Sequence, residues 1–418
     1  MSAEAAFRTL WFGDLAARTG HQITAFALPL LVVTVLAGSG TEVGLVNAAQ
    51  FVPVLVLSLA VGAWTARTGL RWILVAGNAL RAAALFGVGA LAAAHRLSFG
   101  GLVVGGLLIG TAAVFHDIGV QVTAPRLLDG DRLIAGNGAF QASTSVTQMA
   151  GPAAAGFAVQ SLGGAWAATL TGAVFTVAAL AMLALPGPPL RPVAGTGAPP
   201  TVRAGLSFVR RCRPIRDLCV QSALFNLHEQ AFATVFLVYG VRTLGLSGGL
   251  VGFVVGVGTV GALAGSLVAG RFGGRLRLGP ALAGSMLVAA LGLLLVPALA
   301  ATGAAAQVLG AGFVVNGAAL AVYNVLAVTV RQKVPPPQLL GAVTASYRIA
   351  AFGSLPVGAL IGGLLVDTTG PARAIWVVGV SGTVASMLLF ASPLRRAGSL
   401  SDVHAGLAHA QRETHGNG

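Results

Sequence analysis

GGLVVGGLLIGTAAVFHDIGVQVT, residues 100–123, decides how the chain is read. Its first sixteen residues carry no ionisable side chain. At 1.5 Å per helical residue the stretch is long enough to cross about 30 Å of hydrocarbon. His116 and Asp117 stand toward its end. Ionisable groups are expensive inside a bilayer, so either a neighbouring helix satisfies them or they do work that only a buried charge performs.

The rest of the chain agrees with that solvent. Of 418 residues, 56% are hydrophobic and 9% charged, with a mean hydropathy of +0.86. Soluble domains carry roughly 25% charged residues. The 59 glycines suit helices that approach closely in lipid. The net charge of +14 is dispersed in short gaps between apolar runs, without a basic, aromatic-interleaved surface, so nucleic acid is not an expected partner. Cys212 and Cys219 share one basic stretch, which argues against a disulfide framework, and no metal-ligand spacing or cofactor motif occurs. The first apolar run is long enough to span and is read as a retained helix rather than a cleaved leader.

Twelve spans are expected, at roughly 10–36, 43–65, 73–94, 100–123, 137–161, 165–185, 217–240, 249–270, 279–300, 304–329, 342–366 and 374–392. With a cytoplasmic N-terminus, Arg67, Arg71, Arg126, Arg132, Arg271, Arg275, Arg277, Arg331 and Lys333 fall in cytoplasmic loops. Arg96, Arg242 and Arg373 face outside. The positive-inside rule therefore puts both termini in the cytoplasm of a cell-membrane protein. The expected domains are a six-helix bundle over 1–186, a cytoplasmic linker over 187–216, a second bundle over 217–393 and a tail over 394–418. The linker opens with the Pro- and Gly-rich PGPPLRPVAGTGAPP and continues as VRAGLSFVRRCRPIR, read as a basic interfacial helix that anchors topology.

The halves repeat at an offset of about 206 residues. HQITAFALPLLVV at 21–33 parallels HEQAFATVFLVY at 228–239, and Val122-Thr123 parallels Val328-Thr329. Such parallel repeats imply a transporter with its substrate site near the midplane.

The loop after the second span has Gly62, Ala66, Arg67, Gly69 and Arg71 in the pattern G-x-x-x-[AD]-R-x-G-x-R, and the fifth span carries Gly151-Pro152 and Gly156 in QMAGPAAAGF. With twelve spans and the repeat, these features resemble the major facilitator superfamily. The Gly-Pro element is similar to its exporter signature. LWFGDLAARTGHQITAFALPLLVV and PRLLDGDRLIAGNG resemble its drug, macrolide and siderophore exporter branch. The resemblance implies two pseudo-symmetric bundles, alternating access and a monomer that handles a small molecule and protons. It also implies gate roles for Gly62, Arg67, Gly69, Arg71, Gly151 and Pro152. Family members usually have an acid where Ala66 stands, in a charge network that latches the cytoplasmic gate. The latch is then incomplete or rebuilt elsewhere, with Asp14 a candidate substitute.

Of the eleven acids, Asp14, Asp117 and Glu229 fall inside expected spans, as do His21, His116 and His228. Asp14, Arg18 and His21 are spaced i, i+4 and i+7 and share one helix face. That face is either a structural Asp14–Arg18 ion pair or a polar stripe along the cavity. Glu229 lies about 16 Å deep with no basic residue within a turn, so it is a proton-coupling candidate alongside Asp14 and Asp117. A protonated structural glutamic acid is the alternative. His116 and Asp117 are expected to form a gate-side salt bridge or proton-release station, with Arg126 within snorkelling reach, a substrate ligand being the alternative. Arg18, His21, His228, Asn316, Tyr323 and Asn324 are cavity candidates, helix packing being the alternative for the last three. Arg81 and Arg348 are expected to snorkel or to pair with an acid.

Gly256, Gly258 and Gly261 fit a dinucleotide fingerprint, but within a span they are expected to serve close helix packing. The absence of a P-loop argues against ATP-driven transport, and no nucleophile–base or metal constellation suggests an enzyme. The leading expectation is proton-antiporting efflux of a small, partly apolar molecule such as an antibiotic or secondary metabolite. Solute uptake by facilitation or proton symport, and a non-transporting membrane receptor, are the alternatives.

Overall fold

The computed structural model describes residues 3–65, 70–128, 130–185, 202–303, 306–399 and 401–403. Among them the long elements are all helices: α1 (Ala3–Thr34), α2 (Gly40–Thr65), α3 (Leu70–Ala93), α4 (Phe99–Leu127), α5 (Gly130–Leu183), α6 (Val202–Arg211), α7 (Arg213–Val238), α8 (Gly248–Phe272), α9 (Leu278–Ala301), α10 (Ala306–Lys333), α11 (Leu340–Thr369) and α12 (Pro371–Ser386). The short α13 (Leu388–Ala391) prolongs α12.

The run α5 is two helices joined at Gly163, whose φ of 79° breaks the helical path. Only glycine adopts that backbone region without steric cost, so Leu162-Gly163-Gly164 becomes a sharp turn. Its arms, 130–162 and 164–183, are the expected fifth and sixth spans. With those arms counted separately and the linker helix α6 set aside, the described residues form the twelve-helix, all-α membrane fold.

Nine described helices are long and apolar enough to cross a membrane, α5 covering two crossings. The long helices outside that set are α1 and α7. They carry Asp14, Arg18 and His21, and Arg216, Asp217 and Glu229. Both also start earlier than expected. An exposed Glu4–Arg8 pair at 2.7 Å extends the first turns of α1. Pro214 in the first turn of α7, with Arg216 N donating to the Cys212 carbonyl, lets that helix begin in the basic linker.

Hydrocarbon supplies no hydrogen bonds, so side-chain hydroxyls turn back on their own helices. Thr19, Thr24, Thr171 and Ser346 each donate to the carbonyl four residues earlier. Large apolar side chains such as Trp72, Trp166, Leu267 and Val384 are more than half exposed, as suits a surface bathed in lipid.

The chain divides into two compact units. Unit 1 comprises residues 1–195, 233–256 and 359–374. Here α1 and α3 pack on α5, and α2 and α3 on α4, with Leu10, Leu74, Val120, Phe140 and Met182 in one core. At one end of this unit helix ends meet backbone to backbone. Gly252 lies against the Pro152 carbonyl, Gly156 against that of Gly248 and Gly44 against that of Ala359. A Cβ at these positions would overlap the facing backbone, which is why small residues occupy the crossings. Polar contacts finish the same end. Asp367 accepts from the α2 backbone N–H groups of Gly40 at 2.6 Å and Thr41 at 2.7 Å. Asn47 Nδ2 donates to Thr234 Oγ1 at 3.2 Å, and Arg242 donates to the Gly38 carbonyl.

Unit 2 comprises residues 196–232, 257–358 and 375–418. Its core gathers Ile215, Leu218, Leu282, Met286, Tyr323, Leu326, Val343 and Leu394, with α9 packed on α10. Gly258 and Gly261 lie against the backbone of Phe313 and Val314, and in unit 1 Gly256 lies against Met149. The fingerprint-like run is thus helix packing. Cys212 and Cys219 are buried free thiols, and burial pushes the Cys212 thiol up from its ordinary pKa.

Candidate functional site

The densest polar cluster of unit 1 sits between α1, α3 and α4. Small residues make it possible. Gly77 lets α3 approach α4, a Cβ there lying 3.2 Å from the Ala112 carbonyl, and Gly20 of α1 packs against the Phe175 ring. Asp14 is fully buried at the centre. Arg18 Nε donates to Asp14 Oδ2 at 2.6 Å, so the i, i+4 spacing does give an ion pair. His116 of α4 puts Nε2 3.2 Å from Asp14 Oδ1. Behind it, Asn78 of α3 sets Nδ2 3.1 Å from His116 Nδ1 and donates from the same Nδ2 to the Leu74 carbonyl at 2.9 Å.

His116 and Asp117 therefore do not act as a pair. Successive helical residues point about 100° apart. His116 is buried against α1 and α3, while Asp117 and Gln121 share an exposed face. The side chain of Arg126, the expected partner, lies outside the described residues. Arg81 also departs from expectation. It is 2% exposed and stacks over Phe175, its guanidinium carbon 5.2 Å from the ring centre, with no acid in ion-pair distance among the described residues. Arg81 Nε, Asn78 Oδ1 and His21 Nδ1 are buried without hydrogen-bond partners. Arg348 is exposed and stacks over Phe352 at 5.6 Å.

In unit 2, Glu229 is half-buried and has no hydrogen-bond or ion-pair partner among the described residues. The neighbouring His228 turns away, its Nδ1 donating to the Leu224 carbonyl at 2.7 Å, and it packs against Gly382. Asn316 and Tyr323 are buried in helix joints. Asn316 donates to the Ala289 carbonyl at 3.0 Å, and the Tyr323 hydroxyl lies 3.0 Å from Ser222 Oγ. Asn324 is exposed. Among the described residues no group of three or more His, Cys, Asp or Glu is placed to hold a metal.

The Major Facilitator Superfamily model matches residues 10–354 of this sequence. The chain belongs to the major facilitator superfamily. Its curated relatives include the multidrug efflux pump Tap of Mycobacterium tuberculosis and its counterpart in Mycobacterium bovis. Each is 26% identical over 376 residues, covering 86% of both chains. The fold is shared with a POT family transporter crystallised with 5-aminolevulinic acid (TM-score 0.74, 13% identity, covering 94% of this chain and 97% of that one). It is also shared with the nucleoside transporter NupG (TM-score 0.73, 15% identity, 93% and 99%). A bacterial homologue of the iron transporter ferroportin, in an inward-facing state, is similar as well (TM-score 0.73, 17% identity, 94% and 99%).

As a member of this superfamily the protein is a multi-pass membrane transporter. Of the loop motif, Ala66, Arg67 and Gly69 lie outside the described residues, and for Gly62 the structure describes only its place in α2. Arg71 stacks over Trp72 at 5.3 Å. Gly151 packs against Gln22 of α1 and the Pro152 carbonyl against α8, so the Gly-Pro element lies at two tight crossings.

Sequence reading missed two polar residues of this superfamily member. Asn78 sits inside the apolar run LVAGNALRAAAL, three residues before Arg81 on the same helix face, and that polar spacing was the available signal. Asp367 gave no local sign of reaching α2, 327 residues away in sequence.

Proposed function

We propose that the protein exports a small, partly apolar molecule from the cytoplasm in exchange for protons, by alternating access in the cell membrane. In this reading both termini are cytoplasmic, and residues 1–186 and 217–393 are the pseudo-symmetric halves. The observation that carries the proposal is Asp14, fully buried and in contact with both Arg18 and His116. A carboxylate held only by arginine is locked in its charged form. One that also touches an imidazole shares its site with a second proton acceptor, so a proton can join the pair without creating a separate buried charge elsewhere. Neutralising Asp14 releases Arg18, which couples proton binding to a rearrangement of the α1 face. The efflux direction and a drug as cargo are supported by the similarity to the multidrug efflux pump Tap. Glu229, without a partner among the described residues, is proposed as a second proton-binding carboxyl. His21 and Arg18 are proposed to line the same path.

Everted membrane vesicles energised with an inward-acid proton gradient test this, after a susceptibility screen of a deletion strain has named a transported drug. Wild-type vesicles are expected to accumulate that drug and to release it when a protonophore is added. Asp14→Asn is expected to abolish accumulation against a gradient while leaving downhill flux, and Glu229→Gln to lower it. Full gradient-driven accumulation by Asp14→Asn would overturn the role of that carboxylate. Full retention by Glu229→Gln assigns coupling to the first site alone.

A further inference from the structure

We propose that Asn78 is the positioning residue that sets the protonation of His116, acting as a two-position stop for the Asp14–His116 pair. Its amide orientation is fixed by its own helix. Nδ2 donates to the Leu74 carbonyl at 2.9 Å, so turning the amide would set Oδ1 against another oxygen. The same Nδ2 is 3.1 Å from His116 Nδ1, which must therefore accept and carry no proton. The ring's proton sits on Nε2 and is donated to Asp14 Oδ1 at 3.2 Å. The imidazole is thereby held neutral, in one tautomer, by a residue that never touches the acid.

A proton arriving at Nδ1 has no acceptor as long as Nδ2 faces it. The amide has to turn, giving Oδ1 to the new N–H and surrendering the bond to Leu74. Oδ1 is available for this, being buried without a partner. As Nδ1 gains a proton, Nε2 can pass its own to Asp14. One proton has been bound in all, Asp14 is neutral, His116 is neutral in the opposite tautomer, and Arg18 has lost its counter-charge. The amide turn thus stands between proton entry and release of the α1 ion pair.

Few other groups compete for His116. The titratable residue in contact with it is Asp14 on α1, which Arg18 holds from the other side. His21 on α1 and Arg81 on α3 are the further charged or titratable groups of the neighbouring helices, and Asp117 on its own helix points to an exposed face. In sequence, α2 carries only Glu42, at its start, and α5 carries none beyond Arg132. The consequence for transport rests on the proton-coupling role of Asp14 proposed above; the tautomer and the amide turn rest on geometry alone.

Histidine nitrogen NMR on ¹⁵N-labelled protein in lipid nanodiscs tests it without any substrate. The His116 signals are assigned by their loss in His116→Gln. In wild type at neutral pH, Nδ1 is expected to be bare and Nε2 protonated; a ring protonated on Nδ1 overturns the proposal even if no variant folds. In Asn78→Asp, which offers only acceptors, Nδ1 is expected to be protonated at neutral pH. Its titration should move upward by at least about one pH unit, a tenfold gain in proton affinity. A folded Asn78→Asp protein that titrates like wild type also overturns it. Vesicle transport separates the two ideas. If Asp14→Asn still pumps but Asn78→Asp shifts the titration, the coupling role falls and the positioning role stands. If Asp14→Asn fails and Asn78→Asp changes nothing, the reverse holds.

Discussion

Arg81 shows at the scale of one residue how function and stability pull apart. An arginine 2% exposed, stacked on Phe175 and without an acid in ion-pair distance among the described residues, has only the more distant carboxylates of Asp117 and Asp14 to offset the loss of its hydration. Its stem and ring contact are apolar and could be supplied by a neutral chain of similar length. Replacing it by methionine is therefore expected to leave the melting temperature in detergent unchanged or raised by a few degrees. If the buried charge serves transport, the same change is expected to lower proton-driven accumulation in vesicles while stability is kept. A fall of many degrees in the Arg81→Met protein would show that the guanidinium is structural. The positions of the ionisable residues were legible from their rarity in apolar runs. Their partners were not. Residues 116 and 117 look like one feature in the sequence, yet they face different surroundings because a helix turns about 100° between them.

Among the elements, α2 begins with a local cap and a distant one. Ser39 Oγ accepts from the Glu42 N–H at 3.1 Å and Glu42 Oε2 from the Ser39 N–H at 2.8 Å, a capping box written in the sequence S-G-T-E. The Gly40 and Thr41 N–H groups that this box leaves open are taken by the carboxylate of Asp367, at the far end of α11. Losing a cap costs about 1–2 kcal/mol. Asp367→Ala is expected to lower the melting temperature by a few degrees, whereas Asp367→Asn, which keeps an acceptor oxygen, should lose less than half as much. Equal losses for the two variants would mean that charge rather than capping matters. Helix existence, by contrast, was readable almost throughout, because length and apolar character are properties of a single segment. Even the break in α5 was legible, in the adjacent glycines 163 and 164. Helix starts were less so. The first turns of α1 and α7 extend beyond the apolar run, where ion pairing and a first-turn proline rather than hydropathy decide.

The whole molecule is a superfamily transporter with an apolar exterior and polar residues gathered on a few helix faces. Its proposed orientation follows from arginine and lysine residues that are far more numerous in the loops of one side than of the other. A fluorescent protein fused after residue 418 is expected to fold and fluoresce in cells, while alkaline phosphatase fused there should be inactive. Active phosphatase would invert the topology and with it the assignment of cytoplasmic and outer ends. What the sequence by itself determined was the solvent and the number of crossings. Both follow from a one-dimensional match between apolar length and bilayer thickness, since an unpaired backbone cannot cross lipid. Only the tertiary structure decided that His116 faces Asp14, 102 residues away, that Asn78 stands behind it, and that Asp367 finishes α2. Those pairings depend on how far each helix is rotated about its own axis and on where glycines let backbones touch. Neither is fixed until the helices have packed.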